Sequence, residues 1–164
     1  MGSGKSYTGK QLAERLNYDF QDLDDAIEAK AGKTIREIFA DEGEAHFRQL
    51  ERQCLWELGE QTKLVVATGG GAPCFFDNME LMNAAGLTIF LDTPVETLVQ
   101  RLKPEIAHRP LLAGKSDTEL QAFIDQKLSE RRPFYEQAKV LYHQQSAEEA
   151  VAEKLEEVLR EMNT

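Results

Sequence analysis

Gly2-Ser-Gly-Lys-Ser6, at the start of the chain, is the stretch from which the architecture is best predicted. Its last three residues match the end of the P-loop pattern G-x-x-x-x-G-K-[ST], whose backbone N–H groups surround the phosphates of a nucleotide. Lys5 is then expected to reach the β- and γ-phosphates, and the Ser6 hydroxyl to bind Mg²⁺. The first glycine of the pattern would precede Met1, so a flexible lead-in to a helix stays open as an alternative.

Apolar periodicity and turn residues predict that helices and strands alternate along the chain. Strands are predicted at about 18–20, 64–67, 87–91 and 140–142. Helices are predicted at about 5–16, 26–31, 34–39, 44–60, 79–85, 94–103 and 116–131, with a further turn or two at 133–138 and a last helix capped by Ser146. Thr93 is expected to cap the helix at 94–103. This alternation is typical of a parallel sheet with helices on both faces, which binds ligands at the carboxyl ends of its strands.

Composition narrows the class of protein. A chain of 164 residues fits one domain, and its net charge of −10 argues against a general nucleic-acid surface, which should be basic. No apolar run is long enough to span a bilayer and no signal-peptide pattern opens the chain, so we expect no membrane association and a cytoplasmic location. We also expect a monomer, since packing the helices leaves no apolar stripe exposed.

Two carboxylates follow the first predicted strand, in Asp22-x-Asp24. One is suited to hold Mg²⁺ through water, and the other to accept a hydrogen bond from a substrate hydroxyl and orient it. A helix N-cap explains the same residues equally well at this point.

Three glycines follow the second predicted strand, in Thr68-Gly-Gly-Gly71. Glycines let a ligand approach the backbone closely and use its N–H groups as donors. A plain flexible turn rarely needs three of them after a buried strand, so this segment favours a binding function.

Several stretches together resemble shikimate kinase: GSGKS (2–6), FQDLDDAIE (20–28), IREIFADEGEAHFRQLE (35–51), VVATGGG (65–71), HRPLL (108–112) and ERRPFY (130–135). The resemblance spans nearly the whole chain. It implies one α/β domain, 1–164, with the three-layer α/β/α P-loop fold, a central parallel sheet and helices on both faces. It also implies a shikimate-binding helical region at about 23–60 and a mobile lid at about 104–115.

The resemblance further implies transfer of the ATP γ-phosphoryl group to the 3-hydroxyl of shikimate, in aromatic amino-acid biosynthesis. Residues implied to bind the nucleotide are Gly2, Ser3, Gly4, Lys5, Ser6, Tyr7, Arg101, Arg109 and Gln145. Residues implied to bind shikimate are Asp24, Arg48, Gly70, Gly71 and Arg131. Lys5, Asp24 and Arg109 would take part in catalysis, with Ser6 binding Mg²⁺ directly and Asp22 through water.

Two arginines carry alternative interpretations. Arg48 lies on a predicted helix with Glu44, Glu51 and Arg52, so local sequence alone favours a solvated surface position. Of the adjacent pair Arg131 and Arg132, Arg131 aligns with the family, and Arg132 is expected to have a structural role.

The sequence also departs from the family. Tyr7 stands where the family usually has threonine. The family's first strand, which would lie between the strand before Asp22 and the strand before Asp92, is absent from this chain. Its loss would leave two strand edges without a partner. We therefore expect either that the natural protein starts earlier or that the chain as written has low stability.

Two other functions stay open at this point. One is a different small-molecule kinase of the same fold, acting on gluconate or a nucleoside monophosphate, although the glycine triplet and Arg48 argue against it. The other is a truncated remnant that binds nucleotide without turnover. A substrate panel and a measurement of shikimate-dependent ADP release distinguish them.

Overall fold

The computed structural model of the chain describes residues 2–104, 114–146 and 149–162. Within them helices and strands alternate, as predicted. The strands are β1 (Asp19–Asp22), β2 (Leu64–Ala67), β3 (Ile89–Asp92) and β4 (Val140–His143). The helices are α1 (Lys5–Leu16), α2 (Leu23–Ala31), α3 (Ile35–Asp41), α4 (Gly43–Gly59), α5 (Asn78–Ala85), α6 (Val95–Leu102), α7 (Asp117–Tyr135) and α8 (Val151–Met162), with a 3-10 turn at Ala72–Cys74. Arg109 and most of the predicted lid at 104–115 lie outside the described residues.

The described strands form two parallel pairs and not one continuous sheet. β1 pairs with β2, and Asp19 lies opposite Leu64. β3 pairs with β4, and Ile89 lies opposite Val140. The predicted central sheet is therefore divided into two parts, each made of two strands.

A cavity of about 580 Å³ separates these two pairs. Residues of β2, β3 and α1 line it, including Val65, Leu91 and Leu12. The expectation that the strand before Asp22 borders this gap is wrong, because residues of β2 line the cavity and residues of β1 do not. The chain runs from β1 through three helices and then adds β2 on the inner side.

Helices cover both faces of the first pair. On one face Gly9 of α1 packs so closely that a Cβ there would lie 2.8 Å from Cε2 of Phe20 and 3.7 Å from Cγ1 of Val65. Side chains alternate along a strand, so Val66 points to the other face. There it packs against a buried cluster drawn from α2, α3, α4 and the 3-10 turn, which includes Leu23, Ile38 and Phe47.

The second pair is covered in the same way. Ile89 and Leu91 of β3 pack against a cluster that joins Leu12 of α1 to Leu155 of α8. Phe90, on the opposite face, packs against Tyr135 of α7 with ring centroids 5.0 Å apart. The result is an α/β arrangement of three layers, with the carboxyl ends of the strands leading into the Asp22, Thr68 and Asp92 segments.

Two helices extend further than the sequence predicts. α2 begins at Leu23 and not near residue 26, because the Asp22 side chain caps it by accepting a hydrogen bond from the backbone N–H of Asp24. α7 continues through Pro133 to Tyr135, where a separate turn was predicted. The proline ring has a helix-compatible φ and its missing N–H removes only one hydrogen bond near the helix end.

Two other helix starts differ from the prediction. α6 begins after Pro94, because the Thr93 hydroxyl donates to Oε1 of Gln144 at 3.1 Å and does not cap the helix. α8 begins at Val151, and the Glu149 carboxylate accepts hydrogen bonds from the Tyr142 hydroxyl and the Gln145 backbone. The predicted capping interactions at Thr34 and Ser116, by contrast, are confirmed.

Candidate functional site

The predicted phosphate-binding loop opens α1. Gly4 is the N-cap and has a φ of 78°, a left-handed conformation that favours glycine. Lys5 Nζ donates to the Ser3 hydroxyl at 3.3 Å. The first backbone N–H groups of a helix lack partners within it and carry partial positive charge, so this terminus suits an anionic phosphate.

Ser6 and Asp22 meet at the carboxyl end of β1. The Ser6 hydroxyl donates to Oδ2 of Asp22 at 2.5 Å, while Oδ1 of Asp22 accepts from the Asp24 backbone at 3.0 Å. Asp22 thus caps α2, which confirms the alternative interpretation of this residue, and its second carboxylate oxygen contacts Ser6 of the P-loop. A hydroxyl and a carboxylate oxygen this close are ligands that fit Mg²⁺, which takes few protein ligands beside water and phosphate oxygens. Among the described residues, no group of three or more His, Cys, Asp or Glu side chains is arranged to hold a metal ion.

Asp24 lies beside the glycine loop. A Cβ at Gly69 would lie 3.4 Å from Oδ1 of Asp24, so the loop shields this carboxyl although the residue as a whole is exposed. That shielding raises the pKa of the Asp24 carboxyl, the Asp22 charge raises it further, and Lys5 opposes both. The P-loop lysine and the Asp22–Asp24 pair are therefore electrostatically coupled.

Arg48 is held in an enclosed site by contacts on several sides. Its side chain is 13% exposed, and the guanidinium carbon lies 3.9 Å from the centroid of the Phe75 ring. Nη1 donates to Oε2 of the buried Glu51 at 2.8 Å, and Nη2 donates to Glu44 at 3.2 Å. The alternative of a solvated surface position for Arg48 is wrong, because aromatic and acidic groups from α4 and the segment after β2 enclose it.

The glycine loop fits against this arginine. A Cβ at Gly71 would lie 2.8 Å from Nη2 and 2.9 Å from Nη1 of Arg48, a distance at which something must shift. Gly71 has a φ of −87°, so the requirement for glycine arises from this close approach and not from the backbone conformation. The loop and Arg48 are thus matched in shape.

Arg131, on α7, faces the same region. Burial raises the pKa of Glu51, and the positive charges of Arg48 and Arg131 both lower it. The charge of Arg131 also lowers the pKa of the Cys74 thiol, which burial raises. The structure therefore brings Asp24, Arg48, the Gly69–Gly71 loop and Arg131 together around Glu51.

Arg132, the next residue, points elsewhere. Its guanidinium donates to both oxygens of Asp92, at 2.8 and 3.3 Å. Nδ1 of His143 lies 2.9 Å from Oδ2 of the same carboxylate. Arg132 thus fastens the end of α7 to the carboxyl end of β3.

A second cavity, of about 300 Å³, lies beside the P-loop. Its lining includes Ser3, Gly4, Tyr7, Arg101, Gln144 and Glu149. Arg101 reaches the loop through Nη1, which donates to the Gly2 carbonyl at 3.4 Å. The Tyr7 hydroxyl accepts from Gln11 at 3.0 Å. Gln145 is absent from this lining, and its side chain donates to the His143 carbonyl at 3.2 Å.

Sequence reasoning did not single out two residues of this region. Glu51 is 1% exposed and accepts a hydrogen bond from Arg48; burial raises its pKa, the charge of Asp24 raises it further, and that of Arg131 lowers it. The i, i+3 spacing of Arg48 and Glu51 on one helix was the available signal. Tyr135 donates its hydroxyl to the Gly70 carbonyl at 2.5 Å, and no local pattern indicates this contact. Within the described ranges, no helix is long and apolar enough to cross a membrane.

A comparison with protein families gives one match over almost the full length. The shikimate kinase family model matches residues 1–162. Individual proteins agree with it. A shikimate kinase of Bacteroides fragilis is 51% identical over 142 residues, which cover 87% of this chain and 79% of that protein. A shikimate kinase of Bacteroides thetaiotaomicron is 46% identical over 164 residues, which cover 97% of this chain and 94% of that protein.

Solved structures resemble the fold closely. The 1.7 Å crystal structure of the Bacteroides thetaiotaomicron shikimate kinase superposes with a TM-score of 0.90 at 45% identity, covering 98% of this chain and 94% of that one. The shikimate kinase of Acinetobacter baumannii, solved in complex with shikimate, superposes with a TM-score of 0.85 at 37% identity, covering 98% of this chain and 89% of that one.

Proposed function

The chain belongs to the shikimate kinase family, and from that premise we propose which of its residues bind shikimate, ATP and Mg²⁺ and which act in phosphoryl transfer. The activity is that of a shikimate kinase, an ATP-dependent phosphotransferase of the pathway to the aromatic amino acids. The acceptor in the proposal is the 3-hydroxyl of shikimate, and the donor is the γ-phosphoryl group of ATP.

The proposed shikimate site lies between α2, α4, α7 and the glycine loop. Arg48 and Arg131 bind the substrate carboxylate, Asp24 binds the hydroxyls, and Gly70 and Gly71 contact the substrate through their backbone. The observation that carries this proposal is that two arginines of an acidic protein, Arg48 and Arg131, both act on the buried Glu51, with Arg48 packed directly against Gly71 of the glycine loop. Arginine suits this role because its planar fork of N–H donors matches a carboxylate.

The proposed nucleotide site extends from the P-loop into the 300 Å³ cavity. Its phosphate part comprises residues 2–7, with Lys5 beside the transferred group and Ser3 and Gly4 at the rim of the cavity. Arg101, Tyr7 and Gln145 are proposed to contact the rest of the nucleotide. Arg109, outside the described residues, remains a proposed ligand of the phosphates and a catalytic residue of the lid at 104–115.

Ser6 and Asp22 are proposed to hold Mg²⁺, Ser6 directly and Asp22 through a water molecule. Their oxygens lie 2.5 Å apart and face the P-loop. When bound, Mg²⁺ neutralises charge on the phosphate oxygens.

The proposed reaction is an in-line displacement at the γ-phosphorus. The substrate oxygen forms the new O–P bond, the bond to the oxygen bridging to the β-phosphate breaks, and ADP leaves. Asp24 accepts or orients the proton of the attacking hydroxyl, and Lys5 offsets the negative charge on the transferred group. Positioning and charge neutralisation account for most catalysis in such reactions. Asp24 and Lys5 are close enough for each to influence the other.

The proposal also covers the organisation of this chain. Residues 1–164 form a single domain, with the shikimate-binding helical region at about 23–60. The protein is proposed to act as a cytoplasmic monomer that uses shikimate and ATP, without nucleic-acid or membrane partners.

ADP release by this chain with Mg-ATP tests the proposed reaction. We expect release that depends on shikimate, and little release with gluconate or a nucleoside monophosphate. The product should carry its phosphate on the 3-hydroxyl, which ³¹P–¹H correlation NMR identifies. ADP release that is the same with and without shikimate would contradict the proposal.

A further inference from the structure

Two consecutive phenylalanines follow the 3-10 turn after the glycine loop. The ring of Phe75 lies against Arg48, with 3.9 Å between the ring centroid and the guanidinium carbon. The ring of Phe76 lies against Arg52, where the corresponding distance is 5.3 Å, and Arg52 also pairs with Asp77. The two arginines are four positions apart on α4, so they lie on one face of the helix on successive turns. The segment is thus joined to α4 at two neighbouring points.

The backbone that carries these rings is fixed as well. The Phe75 carbonyl accepts a hydrogen bond from the backbone N–H of Asn78 at 3.2 Å. The buried side chain of Asn78 donates to the Ala72 carbonyl at 2.8 Å. Phe76 has a φ of 50°, a left-handed conformation that is unusual for a bulky residue and that its surroundings must impose. The turn is therefore ordered by contacts of its own and presents the Phe75 ring to α4 in one place.

Phe75 and the acidic neighbours of Arg48 contact different parts of the guanidinium. Glu51 and Glu44 accept hydrogen bonds from its N–H groups, at 2.8 and 3.2 Å. The Phe75 ring lies over the guanidinium carbon and uses none of the N–H donors. An aromatic face therefore restrains the guanidinium without competing with a substrate carboxylate for those donors.

We propose that Phe75 is a positioning residue whose ring holds the Arg48 guanidinium at the glycine loop and thereby sets the affinity for the carboxylate of shikimate. This inference rests on the proposed role of Arg48 in binding that carboxylate. A Cβ at Gly71 would lie 2.8 Å from Nη2 of Arg48, so the loop fits closely around the guanidinium that the ring contacts. An arginine that is already ordered loses less side-chain freedom when it binds a ligand, and binding is stronger as a result.

Steady-state kinetics of Phe75→Leu test the inference. Leucine keeps an apolar side chain in the turn but removes the aromatic face. We expect the KM for shikimate to rise about five- to tenfold, as for the loss of a cation–π contact in an enclosed site. The KM for ATP and kcat should stay within about twofold, because Arg48 is proposed to bind only the acceptor.

Phe76→Leu is the matched control. It removes the neighbouring ring, which also contacts an arginine, but Arg52 has no proposed part in substrate binding. The KM values for shikimate and ATP should both be unchanged. An equal rise in the shikimate KM for Phe76→Leu and Phe75→Leu would show that binding depends on the turn as a whole, and would overturn the inference.

Phe75→Tyr separates the aromatic face from general packing. Tyrosine keeps the face on Arg48, so the KM for shikimate should stay within about twofold of that of the unaltered protein. A KM as high as that of Phe75→Leu would overturn the inference. A merely structural role predicts that Phe75→Leu lowers the melting temperature without a selective rise in the shikimate KM, and that outcome would overturn it too.

A double-mutant cycle with Arg48→Lys tests whether Phe75 acts through Arg48. Lysine keeps the charge but lacks the planar group that lies on the ring. We expect Arg48→Lys to raise the shikimate KM, and Phe75→Leu to raise it less than about twofold further in that background. A further rise of about five- to tenfold there would show an independent role and overturn the inference. If Arg48→Lys raises the KM but Phe75→Leu alone does not, only the inference fails. If Arg48→Lys leaves the KM unchanged, the proposed role of Arg48 fails as well.

Discussion

Glu51 accepts a hydrogen bond from Nη1 of Arg48 at 2.8 Å, and the carboxylate that does so is 1% exposed. Burial raises the pKa of Glu51, and the Arg48 hydrogen bond and charge oppose that rise. The attraction between the two charges thus offsets part of the free-energy cost of removing them from water. It also fixes the Arg48 guanidinium beside Gly71.

Removing Glu51 should therefore be costly. We expect Glu51→Ala to lower the free energy of unfolding by about 3 kcal/mol, because it removes the buried partner of Arg48 and leaves the guanidinium paired only with the exposed Glu44. Urea denaturation followed by circular dichroism measures this loss. Glu57→Ala is the matched control on the same helix: Glu57 pairs with Lys30 at 2.6 Å in a partly exposed position, so its loss should cost at most about 1 kcal/mol. Equal losses for the two variants would show that burial of the Arg48 pair does not matter.

Gly71→Ala should affect substrate binding more than stability. The added Cβ would lie 2.8 Å from Nη2 of Arg48, and the cheapest relief is for the end of that flexible side chain to move. We expect the KM for shikimate to rise about tenfold or more, corresponding to about 1.4 kcal/mol. The KM for ATP and the melting temperature should change little.

Gly86→Ala provides the control for this substitution. A Cβ at Gly86 meets nothing within 4 Å, and its extended backbone is accessible to alanine. Its kinetic constants should match those of the unaltered protein. If Gly71→Ala behaves in the same way, the close approach of Arg48 to the loop is not required for binding.

Asp24→Asn should lower the activity of the protein and raise its stability. We expect kcat to fall by at least about 100-fold, the usual contribution of a general base. The folded protein should become more stable, because the pKa of Asp24 is raised and its ionised form is therefore disfavoured by folding. Shikimate-dependent ADP release and thermal denaturation measure the two effects on the same variant.

The pH dependence of that stability gain has a definite sign. A carboxyl whose folded pKa is raised destabilises the protein above that pKa, and the penalty disappears as the pH falls through it. The advantage of Asp24→Asn should thus be present at pH 7 and shrink toward pH 4. For the same reason, the pH below which kcat falls should lie above the usual pKa range of an aspartate. An advantage that grows on acidification would contradict the raised pKa.

Local sequence was sufficient where the interactions are local. The Thr34 and Ser116 capping boxes join residues three positions apart, and both form as predicted. The environment of Arg48 could not be obtained in this way. Its neighbour Glu44 at i−4 suggests an exposed ion pair, but Phe75, 27 positions later, closes the site.

The division of the sheet also depends on distant pairing. Asp19 lies opposite Leu64, and the intervening helices carry no signal that places β2 on the inner side of β1. Similarly, Thr93 has the sequence of a helix cap, but a hydrogen bond to Gln144, 51 positions away, takes its hydroxyl. In each case a contact between separate elements overrides the local preference.

An extended apolar segment placed before Gly2 should stabilise the protein. The 580 Å³ cavity between β2 and β3 is lined by Ser3 and Lys5 as well as by both strands, so a segment joined at Gly2 can enter it directly. Two or three buried aliphatic side chains contribute about 1.5–3 kcal/mol each, before the cost of ordering the segment. We expect the melting temperature to rise by about 5–10 °C, since 1 kcal/mol shifts it by about 2–4 °C in a protein of this size.

A glycine- and serine-rich extension of equal length is the control for this prediction. It can supply backbone hydrogen bonds to the edges of β2 and β3 but has almost no apolar surface to bury. Its melting temperature should stay within about 2 °C of that of the unextended chain. The backbone hydrogen bonds alone do little more than offset the conformational entropy that the extension loses when it becomes ordered. Amide hydrogen exchange gives a second readout: the apolar extension should slow exchange at Val65, Val66, Phe90 and Leu91. Equal melting temperatures and equal exchange for the two extensions would show that the cavity does not accept a strand, and that the two sheet pairs are stable without one.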